Sequence, residues 1–288
     1  VHKLIARAGV CSRQEAEHLI SRGRVKINGK ISRAPGQVVN PEHDFIEVNS
    51  KKLPPIEPTR LFRYMKPRGV VVTAKDPFAK TTMMDDLNAL TRVPRVFPVG
   101  RLDAESEGLL LLTNNGDFAR TLELPQTQFI RTYNAKVRGT VSERTVSRLH
   151  NGVRDGERIL FPVAIAVEAH LSNHSWLKIQ VTRGCDIRRM LSLVGLHPSR
   201  LVRTQFGPFY AGTLENHSVA EVFSKELHDL FPDLESEVLP SLARKLSPEH
   251  EPSPTRHGRH MPEDLEDLDK LRDFGVHLAV DKIVVKRK

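Results

Sequence analysis

The sequence predicts an α+β fold: a small helix–helix–hairpin domain, then a domain on a mixed, largely antiparallel β-sheet with flanking helices. Two capped helices and a hairpin signal fall within the first 35 residues. Residues 51–59, KKLPPIEPT, carry three prolines and no apolar period, which marks a linker. Beyond it, strand-like and helical segments mix without a regular βαβ repeat. The boundaries that follow are 1–50, a linker at 51–59, a second domain over 60–232 and a tail over 233–288.

In order, Leu4, Ile5 and Ala8 share one face of a short helix that Gly9 closes. Ser12-Arg13-Gln14-Glu15 has the form of a capping box and leads into Ala16, Leu19 and Ile20, so a second helix follows and ends at Gly23. Val25-Lys26-Ile27 before Asn28-Gly29 gives a strand entering a type I′ hairpin turn. In the second domain, strands are expected at 61–65, 70–73, 108–113, 129–137, 161–168, 176–182 and 201–206. Ser142 caps a helix ending near Gly152, and Asp186 caps another ending near Gly195.

Composition narrows the function classes. The 288 residues are 39% hydrophobic, enough to form cores, and no run approaches the roughly 20 apolar residues of a membrane span. The first residues, VHKLIARAGVCSRQ, lack a signal-peptide core. Cys11 and Cys185 sit in unrelated segments without ligand spacing, so neither a zinc site nor a disulfide framework is expected and both thiols are read as reduced. The net charge of +9 points to an anionic partner. Residues 1–33 hold eight Lys/Arg against two acids, a local +6 suited to phosphates.

The stretch PVGRLDAESEGLLLLTNNGD, residues 98–117, sets Asp103 in a polar turn ahead of an apolar strand. Gly100 permits a tight backbone path and Arg101 adds a cation. On spacing alone, the carboxylate can be a metal ligand, a salt-bridge anchor, a helix cap or a nucleophile, and the structural roles together outrank the last. Leu109–Leu112 read as a strand buried on both faces, and Trp176 as core.

The wider pattern is more specific. A-G-V-C-S-R-Q-E-A-E at 8–17 and G-R-V-K-I-N-G-K at 23–30 resemble the S4 RNA-binding domain. Y-M-K-P-R-G-V-V at 64–71, the GRLD segment, R-T-Y at 131–133, G-V-R-D-G at 152–156, I-R-R-M-L at 187–191 and L-V-R-T-Q-F-G-P-F at 201–209 follow in order. Together they resemble the pseudouridine synthases of the ribosomal-RNA branch that carries an N-terminal S4 domain. The resemblance covers roughly residues 3–230.

That resemblance implies an isomerase needing no cofactor and no metal, which breaks the glycosidic bond of a uridine, turns the uracil and joins C5 to the ribose. It implies base flipping, at a cost of a few kcal/mol. Asp103 is the implied catalytic carboxylate, Arg188 the guanidinium that keeps it ionised, with Arg189 the alternative in another register, and Tyr133 the ring against the uracil. Lys66 and Pro67 are implied beside the pocket, and Arg101 holds the loop or a phosphate. Arg7, Arg13, Arg22, Arg24 and Lys26 are the expected RNA contacts.

One departure stands out: V-T-R-G-C-D precedes I-R-R-M, so Cys185-Asp186 replaces the family's basic-Gln pair and Thr182 replaces a glycine. Asp186 either competes for Arg188 or caps the following helix. Two functions therefore stay open, an active synthase and a synthase-fold ribosome-assembly factor with reduced or lost turnover.

The expected partner is ribosomal RNA within a ribosomal subunit precursor, with ribosomal or assembly proteins reached through the tail, and no membrane. Residues 233–288 hold 12 acids and 10 bases and read as a tail or extended arm, with His250, His257 and His260 solvated. Leu265, Leu268 and Leu271 suggest a short helix there, and Val276–Val285 an extended piece. The missing initiator Met and the tail give an organelle matrix, mitochondrial, as the expected compartment, with bacterial cytoplasm the alternative.

Overall fold

In the computed structural model, residues 1–73, 81–89, 95–171, 173–182, 185–232 and 234 are described. The expectations for the tail, including its helix and extended piece, lie outside them. The chain divides into two compact units, Val1–Thr127 with the segment from His217, and Gln128–Asn216.

The first unit begins as its local signals dictate. Helix α1 (His2–Arg7) closes at Gly9, whose φ of +77° lets the Gly9 and Val10 amides reach back to the Ala6 and Ile5 carbonyls. Helix α2 (Arg13–Ser21) starts from a complete capping box of Ser12 and Glu15. Strands β1 (Val25–Ile27) and β2 (Lys30–Ser32) meet through Asn28 and Gly29, both at positive φ, as a type I′ turn requires. β3 (Ile46–Val48) pairs β1 on its other side, and β4 (Lys51–Lys52) pairs β3. Ile5, Ala16, Ile20, Val25, Ile27, Ile46 and Val48 form the core of this module.

The chain continues into β5 (Leu61–Lys66), α3 (Met83–Ala89), β6 (Phe97–Val99), β7 (Glu107–Thr113) and α4 (Gly116–Glu123). β7 pairs antiparallel with β5 and with β6, and Leu109–Leu112 are wholly buried, as expected for a strand covered on both faces. Leu110 and Leu112 pack with Phe62, Tyr64, Met83 and Leu87. Residues 70–73 do not form the expected strand. Val71 instead bridges Thr82, and its amide and carbonyl are satisfied by Thr81 and Met83 at the entry to α3.

The second unit holds β8 (Arg131–Arg138), α5 (Glu143–His150), β9 (Val153–Asp155), β10 (Arg158–Leu160), β11 (Ala164–His170), β12 (His174–Val181), α6 (Ile187–Ser192), β13 (Pro198–Phe206) and β14 (Phe209–Tyr210). Its sheet runs β11-β12-β8-β13, every pair antiparallel, while β9 and β10 form a separate hairpin. The expected strand at 161–168 starts late because Pro162 has no amide to donate. Ser142 and Asp186 cap α5 and α6 as predicted.

The chain then returns to the first unit as β15 (Val219–Glu221), which pairs β5, and α7 (Ser224–Leu230), after which Phe231 packs edge-on against Phe118 of α4. Among the described residues no helix is long and apolar enough to cross a membrane.

Candidate active site

Asp103 lies between β6 and β7 on an exposed turn. Backbone bonds define that turn. Gly100, at φ +73°, donates its amide to Glu123 Oε1 at 2.7 Å, and Ser106 donates to the Asp103 carbonyl at 3.1 Å. The Ala104 carbonyl accepts from the Gly69 amide at 2.7 Å and from Lys66 Nζ at 3.4 Å. Arg68 and Glu105 add an exposed ion pair between the same two segments. The carboxylate therefore stands on a polar turn tied down on both flanks.

Lys66 borders this same turn. It is wholly buried at the end of β5, and its ammonium also donates to the Pro67 and Val70 carbonyls at 2.9 and 2.8 Å. A buried charge needs such a shell of donors or acceptors to replace water. Pro67 is buried with it, while Arg101 is exposed.

In the second unit, Tyr133 sits mid-strand in β8, 9% exposed, between Ile179 of β12 and Arg203 of β13 in register. Arg203 is itself buried, and the Phe206 ring lies under both its guanidinium and that of Arg131, at 5.4 and 4.6 Å. Arg188, half-buried on α6, donates to the Pro198 carbonyl at 3.4 Å. Its neighbour has a different role. Arg189 is exposed and holds Asp155 Oδ1 from Nε at 3.0 Å and Nη2 at 2.7 Å, which keeps the Asp155 carboxyl below the usual range.

The segment that departs from the family pattern is settled locally. The Asp186 carboxylate accepts the Arg189 amide at 3.0 Å, so it caps its own helix. Burial, then the Asp186 charge, pushes the Cys185 thiol up to about 11. Cys185 is thus a neutral thiol at pH 7, with its sulfur 3.9 Å from that of Met190.

The five cations expected on RNA are not equivalent. Arg7 donates to the Glu57 carbonyl at 2.8 Å, Thr59 Oγ1 at 3.2 Å and the Asn114 carbonyl at 3.2 Å. Arg13 pairs with Asp117 at 3.1 Å. Both fasten the helix–helix–hairpin module to the 57–59 linker and the N-N-G-D turn. Arg22 and Arg24 are exposed, and Lys26 is half-buried on β1. The hub of this junction, Asn114, also accepts the Arg60 amide at 2.9 Å and donates to the Pro58 carbonyl at 2.9 Å. Sequence reasoning missed it, although Asn-Asn-Gly-Asp carried a capping signal that the structure uses at Asn115.

Comparison with known proteins places these features in a family. Residues 60–193 match the RNA pseudouridylate synthase family model, and residues 1–46 match the S4 domain. The chain is 37% identical to an uncharacterized RNA pseudouridine synthase of Rickettsia typhi, over 78% of this chain and 92% of that protein. It is 36% identical to ribosomal large subunit pseudouridine synthase B of Bacillus subtilis, over 72% and 84% of the two chains. A crystal structure of a pseudouridylate synthase shares the fold, with a TM-score of 0.52, 24% identity, and coverage of 79% of this chain and 97% of that one.

Proposed function

The chain belongs to the RNA pseudouridine synthases, and from that premise we propose that it converts one uridine of ribosomal RNA to pseudouridine during ribosome assembly. The observation that carries the reading is the Asp103 turn: an exposed carboxylate on a backbone fixed by Gly69, Gly100, Glu123 and the buried Lys66. A reacting group held in place costs little reorganisation at the moment of reaction.

The chemistry is an isomerisation that needs no oxidant and no energy source. Asp103 acts on the ribose as nucleophile, and the C1′–N1 bond breaks. The uracil turns, C5 bonds to C1′, and the carboxylate is released. C5 loses a proton and N1 gains one, so atoms and charge balance. Tyr133 offers a flat ring to the uracil and a hydroxyl for proton movement. Arg188 supplies fixed positive charge near the reacting nucleotide. The uridine is flipped out of its stack, and the net charge of +9 helps hold the opened RNA. Exposed Arg22 and Arg24 are the leading contacts of the S4 module to that RNA.

The position of Asp186 favours turnover over an inactive assembly factor. Its carboxylate accepts the Arg189 amide as the cap of α6, the alternative to competing for Arg188, and the Arg189 guanidinium holds Asp155. The bacterial sources of the relatives described above favour bacterial cytoplasm over a mitochondrial matrix.

The experiment is a map of pseudouridines in ribosomal RNA from cells carrying Asp103→Asn. One pseudouridine should revert to uridine. A map identical to that of the parent strain would overturn the reading.

A further inference from the structure

Strand β10 and the segment that follows it carry an apolar ridge that the catalytic reading does not use. Ile159, Phe161 and Val163 alternate along the chain and are 58%, 60% and 47% exposed, while Leu160 between them is buried. Three large apolar side chains aligned outward are unusual on a basic surface. The ridge is also built rather than loose. Gly152, at φ +93°, lies under it, and a Cβ there would come within 2.7 Å of Ile159 Cγ2 and 3.5 Å of Phe161 Cβ. Arg154 is the cross-strand partner of Ile159, so its guanidinium rises on the same face.

One fastening joins the β9–β10 hairpin to the segment bearing Arg188. Arg189 of α6 grips Asp155 at the end of β9. The ridge therefore sits beside the α6 segment in the same unit, where residues 128–216 hold 13 Lys/Arg against six Asp/Glu.

We propose that the Arg154–Ile159–Phe161–Val163 face is a docking surface for unpaired RNA bases flanking the target uridine, with Phe161 as the stacking ring and Arg154 on the adjoining phosphate. The proposal rests on the reading of the chain as an enzyme acting on RNA. Charge and size choose the occupant. A net positive unit attracts a polyanion, and bases in a duplex already stack on each other, so only unpaired ones offer a free face. A protein partner ordinarily needs about 800 Å² from each side, more than three side chains present.

The test uses the full chain carrying Asp103→Asn, which cannot turn over, and a short single-stranded RNA containing 2-aminopurine, compared with the same strand annealed to its complement. Phe161→Ala should weaken binding of the single strand by about tenfold and abolish the stacking quench of 2-aminopurine. Phe161→Trp should retain both, and duplex affinity should not change. Equal loss on single strand and duplex, or no loss on either, overturns the proposal. So does self-association of the parent chain in sedimentation velocity that Phe161→Ala abolishes, because the ridge is then a protein-docking face. An unchanged pseudouridine map would sink the catalytic reading while leaving this binding measurement intact.

Discussion

The Lys66 ammonium donates to the Ala104 carbonyl at 3.4 Å, and the Gly69 amide donates to the same oxygen at 2.7 Å. That oxygen belongs to the residue after Asp103. A side chain at the end of β5 thereby sets the turn that presents the carboxylate.

Replacing Lys66 with Met keeps the methylenes but leaves the Pro67 and Val70 carbonyls short of a donor. Each unsatisfied buried group costs about 1–3 kcal/mol, so Lys66→Met should lose about 2–4 kcal/mol in urea unfolding. With the turn loosened, kcat should fall at least about tenfold while KM changes little, because RNA contacts elsewhere remain. A folded Lys66→Met enzyme with normal kcat would separate the lysine from the catalytic turn.

The arginines of the S4 module should divide by experiment into two kinds. Arg7 is half-buried, its pKa lowered chiefly by burial, and its guanidinium joins Glu57, Thr59 and Asn114. Arg7→Ala should lower stability by about 1–3 kcal/mol and speed proteolysis within residues 51–59. Arg22→Ala and Arg24→Ala should leave stability unchanged and each reduce the slope of log K against log salt by about one. A salt slope that fell for Arg7→Ala and stood still for Arg24→Ala would reverse the assignment.

What the sequence made legible follows from how local each cause is. The Ser12–Glu15 box, the Ser142 and Asp186 caps and the Asn28-Gly29 turn act within four residues, and all four appear where expected. The β9–β10 hairpin was not expected, although Asp155-Gly156 is a turn signal and Gly156 has φ +61°. Its strands are three residues long, too short for alternation to register. β15 could not be read at all, because its partner β5 lies about 150 residues earlier. The candidate residues themselves came from motif order, whereas the burial of Lys66 and the internal use of Arg7 and Arg13 arise from packing that no local window contains.

Glu168 gives a pH signature. It lies 3.9 Å from Lys178, yet burial raises its pKa more than that ammonium lowers it. The folded state therefore binds a proton more readily than the unfolded state does. Stability should fall as pH rises from the ordinary glutamate value through the raised folded value, and recover on acidification across the same window. Glu168→Gln should flatten that part of the curve and raise the midpoint of thermal unfolding at pH 7. A melting temperature that drops at pH 7 in Glu168→Gln would mean the ion pair outweighs burial.

Asp86 joins two elements of the first unit that are far apart in the chain. It accepts from the buried Tyr64 hydroxyl of β5 and meets His217 Nδ1 at 2.6 Å, where the chain returns to pair as β15. Burial, and then the Asp86 carboxylate, drive the Tyr64 pKa upward, so the hydroxyl remains a donor throughout the working pH range. Tyr64→Phe keeps the ring and removes only that donor, leaving a largely buried carboxylate with His217 alone. A loss of about 1–3 kcal/mol is expected. His217→Ala should cost less, because its ring is largely exposed and the hydroxyl still satisfies the carboxylate. In Tyr64→Phe, amide exchange should quicken in β15 and α3 together, since Asp86 is the group that ties them. Faster exchange in α3 alone would show that β15 is held by its pairing with β5 and not through Asp86.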